Sequence, residues 1–114
     1  MSLFLQQRKT EQALTIVGNG SQTRDFIHVS DVVSANIAAS SYNKAEPLKG
    51  QIFNVGTGKA YSIKDIAYLI SSNINYLKER PGEITHSTAC IEKVKSFFSW
   101  MPKIELETWL KNKL

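Results

Sequence analysis

The sequence predicts an α/β domain in which a small mixed sheet is flanked by helices, and three observations lead to this class. The chain has 114 residues, of which 42% are hydrophobic and 21% charged, so it can form one hydrophobic core. Short apolar runs of strand length alternate along the chain with segments of helical periodicity. Turn-forming Gly, Asn and Ser residues separate many of these segments. Such alternation of strands and helices is typical of α/β domains.

Four apolar runs are predicted to be strands, at residues 14–17, 26–29, 52–55 and 74–77. A helix is predicted after the second strand, where Ser30 can cap the helix and Val33 with Ile37 marks one face. Another is predicted after the third strand, because Ser62 and Asp65 have the spacing of a capping box. Further helices are predicted at residues 3–12 and as two short helices in the tail, and a surface loop at residues 44–50.

Charge and cysteine content bear on the class of function. The net charge is +4 with scattered basic residues, and the basic helix or row of stacking aromatics of a nucleic-acid-binding module is not visible. Cys90 is the only cysteine, so no internal disulfide can form, and we expect a buried or half-buried thiol. No cluster has metal-ligand spacing, and no apolar run approaches the roughly 18 residues of a membrane span. We expect a cytoplasmic protein without metal, nucleic acid or membrane partners.

The segment Gly56-Thr57-Gly58-Lys59 lies between a predicted strand and a predicted helix, where a phosphate-binding loop would be expected. A P-loop needs Ser or Thr after the lysine, and Tyr61 stands where a dinucleotide fingerprint has its third glycine. We interpret these glycines as a tight turn. No Tyr-x-x-x-Lys pair or triad-like spacing occurs, and His28 is expected to be a core histidine. The sequence therefore predicts no catalytic residue in this chain.

Two arginines beside predicted turns are the candidates for binding an anion. Arg24 follows Gly18-Asn19-Gly20, and Arg80 precedes Pro81-Gly82. A guanidinium stays charged and donates a rigid fork of hydrogen bonds, so two of them from separate loops could clamp a diphosphate. Glu83, just beyond the second bend, could accept hydrogen bonds from sugar hydroxyls. Spacing alone favours the alternative that each arginine is a solvated or ion-paired surface residue.

Three segments in unbroken order carry a resemblance to a known family: LTIVGNGSQTRDFIHVSDVVSANIAA, QIFNVGTGKAYSIKDIAYLI and ERPGEITHSTACIEKVKSFFSWMPKIELETWLKN. They resemble the C-terminal half of NAD-dependent nucleotide-sugar epimerases and dehydratases, which are extended short-chain dehydrogenase/reductases. The resemblance is closest to the UDP-glucose and UDP-N-acetylglucosamine 4-epimerases. It covers the chain from about residue 3 to about residue 110.

The resemblance implies roles that spacing could not decide. In the family, the arginine of the QxRD motif, here Arg24, and that of the RPG(D/E) motif, here Arg80, bind the phosphates of the sugar nucleotide. The acid that ends the second motif, here Glu83, meets the ribose hydroxyls, and Val55 is a further candidate for lining the nucleotide pocket. By position, Asp25 is expected to orient the local backbone.

The resemblance also implies that residues 1–114 form a single domain, a partial substrate-binding domain of a larger enzyme. The family's catalytic Rossmann domain, with its glycine-rich NAD loop, lies upstream of the matching part and is not found in this sequence. We expect NAD as the cofactor of the full-length parent and none bound to this chain alone. The expected partners are a UDP-sugar and the missing N-terminal Rossmann domain. Other copies of the chain are expected as well, through the face with Arg24 and Arg80 that would look towards that domain.

The predicted function is to bind the nucleotide sugar in an NAD-dependent nucleotide-sugar 4-epimerase, and the chain alone is predicted to be inactive. A 4,6-dehydratase or a UDP-glucuronate decarboxylase on the same scaffold is the alternative within the enzyme class, because these would share the nucleotide-binding residues. A small basic nucleic-acid-binding module is an alternative of another class, and its binding would depend steeply on salt.

Overall fold

The structure is a computed structural model that describes residues 1–43, 48 and 50–114. The elements in these ranges are α1 (Ser2–Lys9), β1 (Leu14–Val17), β2 (Thr23–Asp25), α2 (Val29–Ser40), β3 (Ala60–Ser62), α3 (Ile63–Ile70), β4 (Ile74–Leu77), β5 (His86–Ser87), α4 (Glu92–Phe98) and α5 (Leu106–Lys111). The predicted loop at residues 44–50 lies mostly outside the described residues. In the described ranges, none of the helices has the length and apolar character needed to traverse a lipid bilayer.

The strands form two small sheets. β1 and β4 pair in parallel, with Leu14 opposite Ile74. β2 is the central strand of the second sheet, where it runs antiparallel to β3 and parallel to β5. This mixed pairing with flanking helices confirms the predicted α/β class.

The larger hydrophobic core lies around β1 and α3. Leu14 and Ile16, alternate residues of β1, are fully buried because successive side chains of a strand face opposite sides. Helix α3 packs its apolar face on them, and α1 and α5 close this core, whose buried residues are Phe4, Leu14, Ile16, Ile66, Ala67, Ile70, Leu106 and Leu110. The predicted cap of α3 is confirmed, since Ser62 Oγ accepts a hydrogen bond from the Asp65 backbone N–H at 3.0 Å.

A second, smaller core lies between α2 and α4. Its buried residues are Ala35, Ile91, Val94 and Trp100. The indole N–H of Trp100 donates to the Ser34 hydroxyl oxygen at 2.7 Å, so the buried indole keeps a hydrogen-bond partner. This core is therefore attached to α2 by packing and by one polar contact.

A buried carboxylate ties α2 to the segment that leads into α5. The Asp31 side chain is only 3% exposed, and its two carboxylate oxygens accept the backbone N–H groups of Lys103 and Ile104, each at 3.0 Å. These residues are more than seventy positions away in sequence. Asp31 therefore joins distant parts of the chain as well as standing in the first turn of its helix.

Helix α2 turns an apolar stripe towards solvent. Val29, Val33 and Ile37, which are four residues apart, are 68%, 50% and 60% exposed. The predicted face of Val33 and Ile37 is thus not the face that packs, because Ala35 on the opposite side of the helix enters the core. The radius of gyration is 17.1 Å, whereas a compact domain of this length has about 13 Å. The flat shape leaves apolar surface uncovered.

The predicted strand at residues 26–29 is wrong. The strand lies earlier, at Thr23–Asp25, and α2 already begins at Val29. His28 is its N-cap: the imidazole Nδ1 accepts the Ser30 backbone N–H at 3.2 Å, so Ser30 is not the cap. Because that contact draws a half-buried His28 to the helix end, the prediction of a core histidine is also wrong.

Two further predictions are wrong: residues 52–55 do not form a strand, and the Cys90 thiol is not buried. A strand needs a neighbour for its backbone hydrogen bonds, and no strand of the described ranges pairs with residues 52–55. Ile52 is 83% exposed there. Cys90 is exposed because it precedes α4 in a loop whose neighbour Ile91 enters the core instead.

Candidate functional site

Arg24 lies at the centre of the three-stranded sheet. It is the middle residue of β2, with Tyr61 of β3 and Ser87 of β5 as its register partners. Its side chain is half-buried, and its guanidinium Nη1 donates to the Thr23 carbonyl oxygen at 2.8 Å. Across the described ranges no carboxylate pairs with it. Strand pairing on both sides thus holds the backbone of Arg24 in place. Its guanidinium still has N–H groups that can donate hydrogen bonds to an anion.

The neighbouring Asp25 forms hydrogen bonds with two loops, the one that leads into β3 and the one that follows β5. Its carboxylate accepts the backbone N–H groups of Thr57 at 2.9 Å, Gly58 at 2.9 Å and Ala89 at 3.2 Å. The Thr57 hydroxyl donates to the same carboxylate. The turn of Thr57 and Gly58 leads into β3, and Ala89 follows β5, so Asp25 holds both flanking strands at one end of the sheet. We call Asp25, Gly56, Thr57, Gly58 and Ala89 the Asp25 cluster.

The hydrogen bonds of the Asp25 cluster stabilise the charged form of Asp25. Partial burial alone would raise the pKa of this carboxyl, but the hydrogen bonds from Thr57, Ala89 and Gly58 outweigh burial and bring its pKa below the usual value. A carboxyl with a lowered folded-state pKa adds stability above its unfolded-state pKa, and this contribution is lost as pH falls through the folded-state value.

Gly56 is needed for the close approach within the Asp25 cluster. A Cβ at this position would lie 2.4 Å from the Ala89 Cβ and 2.8 Å from a carboxylate oxygen of Asp25. Atoms cannot approach so closely, so any side chain here would push the two loops apart. The glycines of residues 56–58 therefore form a structural turn, and its N–H groups already donate to Asp25 rather than pointing to a phosphate.

Arg80 and Glu83 lie in the exposed segment between β4 and β5. Glu83 lines a small cavity of about 50 Å³ together with Gly18 and Asn19 of the turn before β2. A backbone hydrogen bond from Thr23 to the Thr85 carbonyl, at 2.9 Å, attaches this segment to β2. The structure therefore brings Glu83 to the turn that precedes Arg24.

Val55 lies at the other end of β2. It lines an open cavity of about 450 Å³ together with Asp25, Ser87 and Ala89. Neither this cavity nor the one beside Glu83 has an arginine in its lining. Glu83 and Val55 therefore lie near opposite ends of the short strand β2, Arg24 lies on it, and the structure places Arg80 only in the exposed segment that leads to Glu83.

A polar network beside Arg24 was not found from the sequence. The Tyr61 hydroxyl donates to Glu107 of α5 at 2.8 Å, and the Lys59 ammonium lies 3.4 Å from the same carboxylate. Burial raises the pKa of Tyr61, and the hydrogen bond from Tyr61 lowers the pKa of Glu107. No sequence motif links Lys59 and Tyr61 to Glu107, because α5 comes next to β3 only when the whole chain has folded. This network holds Tyr61, which lies opposite Arg24 in the sheet, against α5.

The family model described as "NAD dependent epimerase/dehydratase family" matches residues 1–56, which include β2 and Arg24. A protein of Methanocaldococcus jannaschii, provisionally named UDP-glucose 4-epimerase, is 34% identical over 98% of this chain. The chain belongs to the NAD-dependent epimerase/dehydratase family. A second relative in this family, UDP-glucuronic acid decarboxylase 1 of Danio rerio, is 32% identical over 96% of the chain. The chain spans 39% and 27% of the lengths of these two relatives.

Solved structures of the family show the same fold. UDP-glucuronic acid 4-epimerase from Bacillus cereus, in complex with UDP-glucuronic acid and NAD, matches with a TM-score of 0.85 and 29% identity. UDP-glucose 4-epimerase from Thermotoga maritima, with UDP-glucose, matches with a TM-score of 0.83 and 28% identity. These matches cover 97% and 96% of this chain, but 37% and 36% of the solved chains. The resemblance found in the sequence is confirmed.

Proposed function

We propose that this chain is the UDP-sugar-binding portion of a longer NAD-dependent nucleotide-sugar 4-epimerase, and that residues 1–114 are one partial substrate-binding domain. The observation that carries this proposal is the position of Arg24: it is held on the central strand of a sheet, and in the described ranges no carboxylate pairs with its guanidinium. The Bacillus cereus and Thermotoga maritima relatives named in complexes with UDP-sugars support the choice of ligand.

In the proposed site, Arg24 and Arg80 bind the two phosphates of the nucleotide. Glu83 accepts hydrogen bonds from the ribose hydroxyls, and Val55 contributes apolar surface to the pocket wall. The attachment of the 80–85 segment to β2, through the hydrogen bond between Thr23 and Thr85, supports a shared site. The role of this chain is to hold the remote nucleotide, so that binding energy positions the sugar for the reaction.

NAD belongs to the parent enzyme in this proposal and does not fit the residues of this chain. The glycine-rich turn of residues 56–58, which stands where a phosphate-binding loop would be expected, donates its Thr57 and Gly58 N–H groups to Asp25. A Cβ at Gly56 would meet Asp25 and Ala89, so no phosphate has room there either. We therefore assign NAD to the missing N-terminal Rossmann domain. A cytoplasmic location remains part of the proposal, because an exposed lone thiol such as Cys90 suits a reducing compartment.

A UDP-glucuronate decarboxylase is the second candidate for the parent enzyme. The Danio rerio relative bears that name, and its match covers 96% of this chain. The same nucleotide-binding residues would serve the epimerase and the decarboxylase. The residues of this chain therefore support the substrate class, UDP-sugars, and do not distinguish the two reactions. Membership of the epimerase/dehydratase family weighs against the nucleic-acid-binding alternative.

The purified chain should convert no UDP-sugar when NAD is added, because the sequence contains neither an NAD loop nor a Tyr-x-x-x-Lys pair. Turnover can be followed by chromatography of UDP-glucose, UDP-N-acetylglucosamine and UDP-glucuronate after long incubation. Full-length parent enzyme is the positive control and should convert one of them. Turnover by the 114-residue chain would contradict the proposal that this chain only binds the nucleotide sugar and that the catalytic residues belong to the Rossmann domain.

The stripe of Val29, Val33 and Ile37 should make the isolated chain self-associate, because a contiguous exposed apolar surface is costly in water. Light scattering at increasing concentration should report dimers or larger species. The double variant Val33→Ser/Ile37→Ser should shift them towards the monomer. Leu69→Ser, which removes an exposed apolar side chain from α3, is the matched control and should not. A monomer at every accessible concentration would remove self-association from the proposal and leave the ligand unaffected.

A further inference from the structure

We propose that Asp25 is a positioning residue for the phosphate-binding arginine, and this inference rests on the proposed function. Its carboxylate fixes the two turns that flank β2, and thereby sets the direction from which Arg24 approaches a diphosphate. Asp25 itself does not contact the ligand.

The geometry of β2 supports this division of roles. Successive side chains of a strand point to opposite faces, so Arg24 and Asp25 leave the strand on opposite sides. Asp25 faces the turn of residues 56–58 and the loop after β5, where it accepts hydrogen bonds from four donor groups of Thr57, Gly58 and Ala89. Arg24 is paired in register with Tyr61 and Ser87. The side chain that fixes the backbone and the side chain that meets the ligand are therefore adjacent in sequence but separated by the sheet.

The shortness of the strands makes such a fixing residue necessary. β2 has three residues, β3 three and β5 two, so few ladder hydrogen bonds hold the sheet together. Asp25 adds hydrogen bonds at the end of the central strand to residues beyond both neighbours. Gly56 allows the turn to approach within this cluster, since a side chain there would meet both Asp25 and Ala89. A small shift of either turn would move β3 or β5 and change the angle of the Arg24 side chain.

Asp25→Asn in the full-length parent is the direct test. The amide keeps the size of the side chain but replaces one acceptor oxygen with an NH₂ donor that faces backbone N–H groups. The dissociation constant for UDP should rise about tenfold, because a well-aligned charged hydrogen bond to phosphate is weakened. The dissociation constant for uridine, which has no phosphate, should stay within about twofold. Asp65→Asn, an exposed carboxylate in the first turn of α3, is the matched control and should change neither value.

A double-mutant cycle separates positioning from mere stability. In an Arg24→Ala background, Asp25→Asn should change the UDP dissociation constant less than about twofold, because there is no guanidinium left to position. Thr57→Val, with Thr57→Ser as its control, serves if Asp25→Asn does not fold, and should also weaken UDP but not uridine. An unchanged UDP dissociation constant in folded Asp25→Asn, or in Thr57→Val where only that variant folds, would overturn the inference. So would an equal loss in the Arg24→Ala background.

The same measurements distinguish this inference from the proposed function. If Arg24→Ala weakens UDP but the Asp25 and Thr57 variants do not, the phosphate role of Arg24 stands and only the positioning role fails. If Arg24→Ala leaves UDP binding unchanged, the phosphate role itself is wrong, and the positioning role is overturned with it.

Discussion

Replacing Arg24 by alanine in the full-length parent should raise the KM for the UDP-sugar about tenfold to a hundredfold. A hydrogen bond to a charged group contributes on the order of 1.5 to 3 kcal/mol, and each 1.4 kcal/mol is about tenfold in binding. Arg80→Ala should have an effect of the same size. Arg24→Lys should restore only part of the loss, because an ammonium keeps the charge but not the two-pronged geometry. Steady-state kinetics with the UDP-sugar measure all three.

Lys9→Ala is the control for the arginine variants, since it removes an exposed positive charge from α1 rather than from the sheet. It should leave KM unchanged. Thermal melts of every variant must show the same folded fraction at the assay temperature. Unchanged KM and kcat in both arginine-to-alanine variants would show that Arg24 and Arg80 are ordinary surface residues.

Replacing Asp31 by alanine should lower the free energy of unfolding by about 3 kcal/mol or more, because two hydrogen bonds to a buried charged group are lost. The backbone N–H groups of Lys103 and Ile104 would then have no acceptor. Asp31→Asn should fall between the wild type and Asp31→Ala, since its amide keeps one acceptor oxygen. Urea unfolding, followed by the combined fluorescence of the two tryptophans, the buried Trp100 and the half-buried Trp109, measures the difference.

Asp65→Ala is a matched control for Asp31→Ala. Both aspartates stand in the first turn of a helix, α2 for Asp31 and α3 for Asp65, but Asp65 is exposed. Loss of the favourable interaction with the helix dipole alone should cost about 0.3 to 1 kcal/mol. If Asp31→Ala and Asp65→Ala lose equal stability, the bond between α2 and the segment before α5 contributes nothing measurable.

The sequence was most informative where local chemistry decides the structure. The cap of α3 follows from Ser62 and Asp65, which are three residues apart, and β1 and β4 coincide with the predicted apolar runs. The strand at β2 could not be predicted in this way. Thr23, Arg24 and Asp25 are polar, and they are in a strand only because β3 and β5 supply hydrogen bonds on both sides. The apolar run that follows them was mistaken for the strand.

The candidate site shows the same limit. Motifs and family resemblance identified Arg24, Arg80, Glu83 and Val55 as binding candidates, and their binding roles stay predictions. Three of the four groups that donate to Asp25 could not be predicted, because they are backbone N–H groups of residues more than thirty positions away. A backbone donor has no residue type, so it leaves no signal in a sequence pattern. The partners of Asp31 were missed for the same reason.

The Asp25 cluster also sets a time before which the site cannot exist in the cell. Asp25 and Ala89 are 64 residues apart, and at about 5 to 20 residues per second the ribosome needs roughly 3 to 13 seconds to add them. Throughout this interval β2 lacks its neighbour β5, and the Asp25 carboxylate lacks one of its donors. The edge of β2 that pairs with β5 therefore has no partner until the last quarter of the chain has been made.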